Sequence, residues 1–260
     1  TMAAAFNPVI VNYSHWILSE IPFLFFSLLS LKLLLESETR EQQKPGRWFW
    51  LALACIAFTA HIRAVGLALA GAGVLYYALH RKWKKLVLFS LCLALLLAPW
   101  MIRNHLARGN NGVTYTSQFL QKDIWSPEKG TVGIADLVSR IKFNIQAYST
   151  KHFAQMIFGS ENETAKGFAL SAVSLLAAFL AYFGLLRNLF TTAHIFELYA
   201  ISYTGVLLIW PEIWSDVRLL LPIVPLLLIY LADGAAARFL KRKLSVYPCL
   251  LYTSDAADEL

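Results

Sequence analysis

Charged side chains are scarce in this chain, and their scarcity decides its class. They make up only 15% of 260 residues, whereas 58% are hydrophobic and the mean hydropathy is +0.54. A soluble domain of this length has too little interior to hide so many apolar side chains, so most of them must face lipid. Cysteine is nearly missing. Cys55 and Cys92 lie inside apolar runs and Cys249 lies in a polar tail, which excludes a disulfide framework. No Walker loop, GxGxxG fingerprint or nucleophile elbow occurs, so the common nucleotide-binding and hydrolase motifs are excluded. Tandem repeats and low-complexity tracts are missing too. His61, His105 and His152 show no metal-ligand spacing, so no metal site is assigned, and the one cofactor left open is a divalent cation.

What is present is a set of apolar runs with charge between them. The net charge of +7 does not point to nucleic acid, because the basic residues fall in short clusters between those runs. Seven segments approach the roughly 20 residues that a spanning helix needs: 17–35, 47–62, 65–80, 86–102, 168–186, 193–210 and 219–237. An uninterrupted helix over 47–80 would overshoot the bilayer, so a hairpin is expected there, turning near "HIRAVG". Alternate short loops then receive twelve Lys and Arg on one side, but only Arg63 and Arg218 on the other. Basic loops mark the cytoplasm. The long 103–167 loop is therefore extracytoplasmic, and within it apolar residues at 134, 137, 138, 141, 145 and 148 predict a helix lying along the membrane or capping a cavity.

The ends are set apart. The chain opens "TMAAAFNP", without a charged leader, and is expected to be a piece of a longer protein. Residues 249–260, "CLLYTSDAADEL", resemble the translation of a transposase sequencing adapter. They are treated as an artefactual tail, which leaves 1–248 as one partial transmembrane domain.

Ionisable groups beside a membrane are costly and mark candidate sites. Glu20 opens an apolar helix ahead of Pro22, which fits either an acid at the positive end of the helix dipole or a carboxylate lining an outward cavity. Arg63 is the only charge between residues 48 and 80. It snorkels, pairs with a carboxylate such as Glu20, or meets a phosphate that its planar fork would suit. Arg103 follows Trp100 at the end of another run, and Arg218 stands beside Asp216 before "LLLPIVP". Three arginines from separate segments at one face could surround an anion carried by a lipid.

Four blocks now stand in order: "FNPVIVNYSHWILSEIPFLFFSLLSLKLL", "AFTAHIRAVGLAL", "APWMIRNHLARGN" and "SDVRLLLPIVPLLL". Together they resemble the dolichyl-phosphate-mannose–protein mannosyltransferase and aminoarabinose transferase superfamily. The departures are Ile21 between Glu20 and Pro22, Ala64 where proline is usual, and Leu219 in place of tyrosine. The resemblance implies an all-α, polytopic GT-C fold with about seven transmembrane helices in this chain, in a bacterial or archaeal cell membrane. It implies an enzyme that moves a sugar from a polyprenyl-phosphate donor onto a protein, lipid or glycan acceptor at the extracytoplasmic face. Arg63, Arg103 and Arg218 would bind the lipid phosphate, and Glu20 and Asp216 would play supporting roles. The family's main catalytic acid lies in a loop upstream of residue 1, so the chain alone is expected to be inactive. A transporter or flippase of a lipid-linked substrate is the competing expectation, disfavoured because polar residues gather at one face rather than at the midplane.

Overall fold

The computed structural model describes residues 7–14, 19–41, 44–108, 119–122, 126–159 and 168–239. The 249–260 tail lies outside them. Among the described residues the chain is helical throughout, with a single bridge between Gln121 and Thr131. The helices are α1 (Pro8–Ser14), α2 (Glu20–Arg40), α3 (Arg47–Ile62), α4 (Leu67–Leu79) and α5 (Trp83–Arg108). After the long loop follow α6 (Ile134–Ala147), α7 (Phe153–Phe158), α8 (Phe168–Thr191), α9 (Ile195–Ile209) and α10 (Val224–Phe239). A 3-10 segment, Val217–Ile223, leads into α10.

Among the described residues every apolar run is helical, but not all seven reach the length of a span. Three helices, over Trp83–Leu106, Ser171–Thr191 and Val217–Ala236, are long and apolar enough to cross a membrane. Arg47–Ile62, Ala64–Leu79 and Ile195–Ile209 are apolar but shorter. At 1.5 Å per residue, a helix of 15 residues reaches roughly 23 Å, short of a hydrocarbon core of about 30 Å. In α2 the apolar run is interrupted by Lys32 and ends at Leu35, before Glu36, Glu38 and Arg40.

The 47–80 stretch does break where expected. Arg63 is extended between α3 and a 3-10 turn at Ala64–Gly66. Gly66 makes the return possible, because a Cβ there would lie 2.8 Å from the Ala60 backbone. In "GAG" at 71–73, Gly73 packs closely against the Phe89 ring, while Gly71 has open space.

Packing separates a protected bundle from a greasy exterior. The helix α2 packs on α3, α4 on α9, and α8 on α10. On α5, Val87, Leu91, Leu95, Ile102 and Leu106 form an exposed row at helical spacing. Such a contiguous apolar face is untenable in water and fits a helix against lipid.

Side-chain bonds sort to the two ends of the bundle. At one end Glu38 binds both Lys82 and Lys85, the latter at 2.9 Å, which ties α2 to the start of α5. Beside them the Glu41 carboxylate accepts from the amides of Gly46, Trp48 and Phe49 at 3.0–3.1 Å, satisfying the open N-terminus of α3. Desolvation raises the Glu41 pKa, but the three amide bonds outweigh it and hold the group below the ordinary glutamate value. A lowered carboxylate contributes stability above its unfolded pKa and loses it as pH falls through the folded one. Melting in detergent between about pH 6 and pH 3 should therefore fall less steeply for Glu41→Gln than for wild type. Parallel slopes would refute the capping role.

Candidate functional site

The other end of the bundle gathers the residues singled out above. Glu20 sits in the first turn of α2, its side chain 5% exposed, and Arg63 caps the C-terminus of α3. Arg63 Nη1 meets Glu20 Oε1 at 2.6 Å. The ion pair was one of the alternatives open for Arg63, and it neutralises a carboxylate that burial would otherwise make costly. Glu20 Oε2 has no hydrogen-bond partner among the described residues.

Arg103 stands on a different support. Its guanidinium lies over the Trp100 ring at 5.3 Å, and that ring lies 6.0 Å from His61, two residues before Arg63. His61 itself is bound to its own helix, with Nδ1 2.6 Å from the Ala57 carbonyl. Arg103 is exposed, so its cation–π contact is a modest one.

Asp216 is a cap. Its Oδ1 accepts from the Arg218 amide at 3.0 Å and starts the 3-10 segment, while Oδ2 lies 3.5 Å from Arg218 Nε. Both side chains are about two-fifths exposed, at 44% and 41%. The segment that carries them packs against α1 and α2 and is held from within by Tyr203, whose hydroxyl donates to the Leu219 carbonyl at 2.9 Å. Glu20 and Arg63 are thus in direct contact, whereas Arg103 and Arg218 occupy separate supports at the same end.

Sequence reasoning missed the polar side of α6. Half of the apolar residues that predicted this helix face away from the protein: Ile134 is 85% exposed and Val138 and Ile145 point outward, while Leu137 and Ile141 are half-buried and Tyr148 is buried. The buried face carries Arg140, Asn144 and, in a following π-turn (Tyr148–His152), Tyr148 and His152. Arg140 donates to the carbonyls of Phe119 and Gln121 at 3.0 Å and of Ile209 at 3.5 Å. Asn144 donates to those of Leu208 and Trp210 at 2.9 and 2.8 Å. These bonds cap the C-terminus of α9, whose last carbonyls have no helical partners. The signal was present as Arg140, Asn144 and His152 in register with Tyr148, every fourth position from 140 to 152. Their number alone did not say that this row, and not the apolar one, turns inward.

Beside Arg140 opens a cavity of about 590 Å³, lined in part by Lys122, Lys129, Asp136, Phe143 and Glu212. Lys122 and Asp136 pair across it at 3.0 Å. No group of three or more His, Cys, Asp or Glu residues able to hold a metal occurs among the described residues.

Comparison with known proteins adds one match. Residues 1–113 match the model of a family described as dolichyl-phosphate-mannose-protein mannosyltransferase. The matched stretch contains Glu20, Arg63 and Arg103, and it supports a membrane glycosyltransferase of the mannosyltransferase type. Neither the curated proteins nor the solved structures contain a match.

Proposed function

We propose that this chain forms the donor-phosphate side of an integral-membrane glycosyltransferase. Its donor is a sugar linked to a polyprenyl phosphate, and its acceptor is a hydroxyl of a protein, lipid or glycan at the extracytoplasmic face. The observation that carries the reading is Arg218. It is a half-exposed guanidinium oriented by Asp216 and backed by a fully buried segment, at the same end of the bundle as Glu20 and Arg63 of the family-matching stretch. As the sugar leaves, negative charge grows on the lipid phosphate, and a pre-oriented arginine stabilises it most in the transition state.

The other residues take graded roles. Asp216 spends its carboxylate on capping and on Arg218, which suits an orienting neighbour and not a base. Arg63 would reach a phosphate only along the edge not engaged by Glu20, while Arg103 is free to add charge from the rim. No residue of this chain is assigned as the catalytic base.

Binding tests this without turnover. In nanodiscs, wild type should bind a polyprenyl monophosphate more tightly than the neutral polyprenol. Arg218→Ala should weaken the phosphate by roughly tenfold to a hundredfold, the loss expected for one charged hydrogen-bond donor, and leave the polyprenol unchanged. Wild-type affinity in Arg218→Ala would overturn the assignment.

A further inference from the structure

His152 is the last member of the buried polar row, 3% exposed, and closes the π-turn Tyr148–His152. Turns of this kind are rare and concentrate at functional sites. Its ring is held at both nitrogens. Nδ1 lies 3.0 Å from Gln155 Oε1, and Nε2 lies 3.1 Å from Ser215 Oγ. An amide oxygen only accepts, so the bond pattern assigns the hydrogen to Nδ1 and leaves Nε2 to accept from the Ser215 hydroxyl. Ser215 immediately precedes Asp216, which caps and pairs with Arg218.

We propose that His152 is the positioning residue of the Ser215–Arg218 turn: the neutral ring holds the turn with Arg218 set for an anion, and the protonated ring reverses the Ser215 bond and draws Asp216 away from Arg218, which loosens the turn. This rests on Arg218 being the lipid-phosphate contact. The switch follows from hydrogen-bond inventory. An imidazolium has two donors and no acceptor, so the Ser215 bond reverses: Nε2–H donates to Oγ, and the hydroxyl hydrogen must turn to another acceptor. The new charge also competes with Arg218 for Asp216, the carboxylate that faces His152 from the turn.

The surroundings favour the neutral ring. Burial pushes the His152 pKa below the ordinary histidine value, and the Lys151 charge beside it acts in the same direction, while Gln155 and Asp216 oppose them. The Tyr148 ring lies tilted against it at 5.1 Å, and from α8 Ser174 reaches the backbone carbonyls of the π-turn. A histidine with a lowered pKa contributes its bond above the unfolded value, about 6.5, and loses it as pH falls through the folded one.

The test uses a polyprenyl methyl phosphodiester in nanodiscs, a probe that keeps one charge from pH 7.5 to 5. Amide hydrogen exchange over residues 213–219 is followed in parallel, corrected for the intrinsic pH dependence. Wild type should bind at least about fivefold more weakly at pH 5, the low end of a typical coupling between two sites, and protection of 213–219 should fall with it. His152→Gln, which keeps an acceptor but cannot titrate, should be flat in both. Ser215→Ala should be weak at both pH values. Exchange over 213–219 that does not change with pH in wild type overturns the proposal, as does a pH-dependent loss that persists in His152→Gln. Flat binding in wild type, with Arg218→Ala still defective, overturns the control by His152 and leaves the donor reading standing. Wild-type binding by Arg218→Ala removes the donor reading, while the exchange data still decide whether His152 holds the turn.

Discussion

Gly234→Val should abolish the folded bundle, and Gly184→Val should do nearly the same. A Cβ on Gly234 would fall on the Leu180 carbonyl, and one on Gly184 would fall on the Tyr230 carbonyl. Both obstacles are backbone, so neither can move aside as a flexible side chain would. The two glycines face each other where α8 crosses α10, and both lie in helices long and apolar enough to span a membrane. Between helices in lipid the hydrophobic effect supplies little attraction, so close backbone approach and dispersion hold them. Prying them apart forfeits contacts along their whole length. A loss of about 3 kcal/mol or more is expected, within the range reserved for severe core lesions. The measurement is size-exclusion and thermal melting after detergent extraction, in which both variants should aggregate or melt far below wild type. Gly71→Ala serves as the matched control. Its Cβ meets nothing within 4 Å, so it should gain about 0.5–1 kcal/mol of helix propensity. Near-wild-type melting of Gly234→Val would mean that α8 and α10 do not meet there.

The second large effect is asymmetric. Arg63→Ala strands the Glu20 carboxylate in a buried site and should cost about 3 kcal/mol, the low end for a broken buried pair because Arg63 keeps some contact with solvent. Adding Glu20→Gln removes the charge that was stranded, so the double variant should recover much of that loss. The recovery distinguishes an ion pair from two unrelated residues, whose losses would add. Strict additivity in this cycle would sink the pairing. The cycle also bears on function. If the pair is structural only, the double variant should bind a polyprenyl monophosphate as wild type does, whereas a phosphate contact by Arg63 predicts weaker binding in both Arg63→Ala backgrounds.

Particular residues show how far one-dimensional pattern reaches. The break at "HIRAVG" was legible because an apolar run longer than a bilayer must turn, and Gly66 sits at the return. The gathering of Glu20, Arg63, Arg103 and Arg218 at one end followed from loop charge and alternation alone. The direction of α6 was not legible. Its apolar residues have helical period whether they face protein or lipid, and only the unpaired carbonyls at the end of α9 give Arg140 and Asn144 a reason to turn inward. For a related reason hydropathy alone did not fix the number of spans: among the described residues three of the runs make helices long and apolar enough to cross a membrane, and three others make shorter apolar helices.

Composition and period by themselves determined that this chain is a helical membrane protein, where the 47–80 run breaks, and which charges belong to which of its two ends. Those properties are local, set by the cost of placing charge or unpaired backbone in lipid. Which groups meet was decided only in three dimensions: Glu20 with Arg63, His152 with Ser215, Gly184 with Gly234. Each of these contacts joins residues more than forty positions apart, and they come together only where the crossing of packed helices places them.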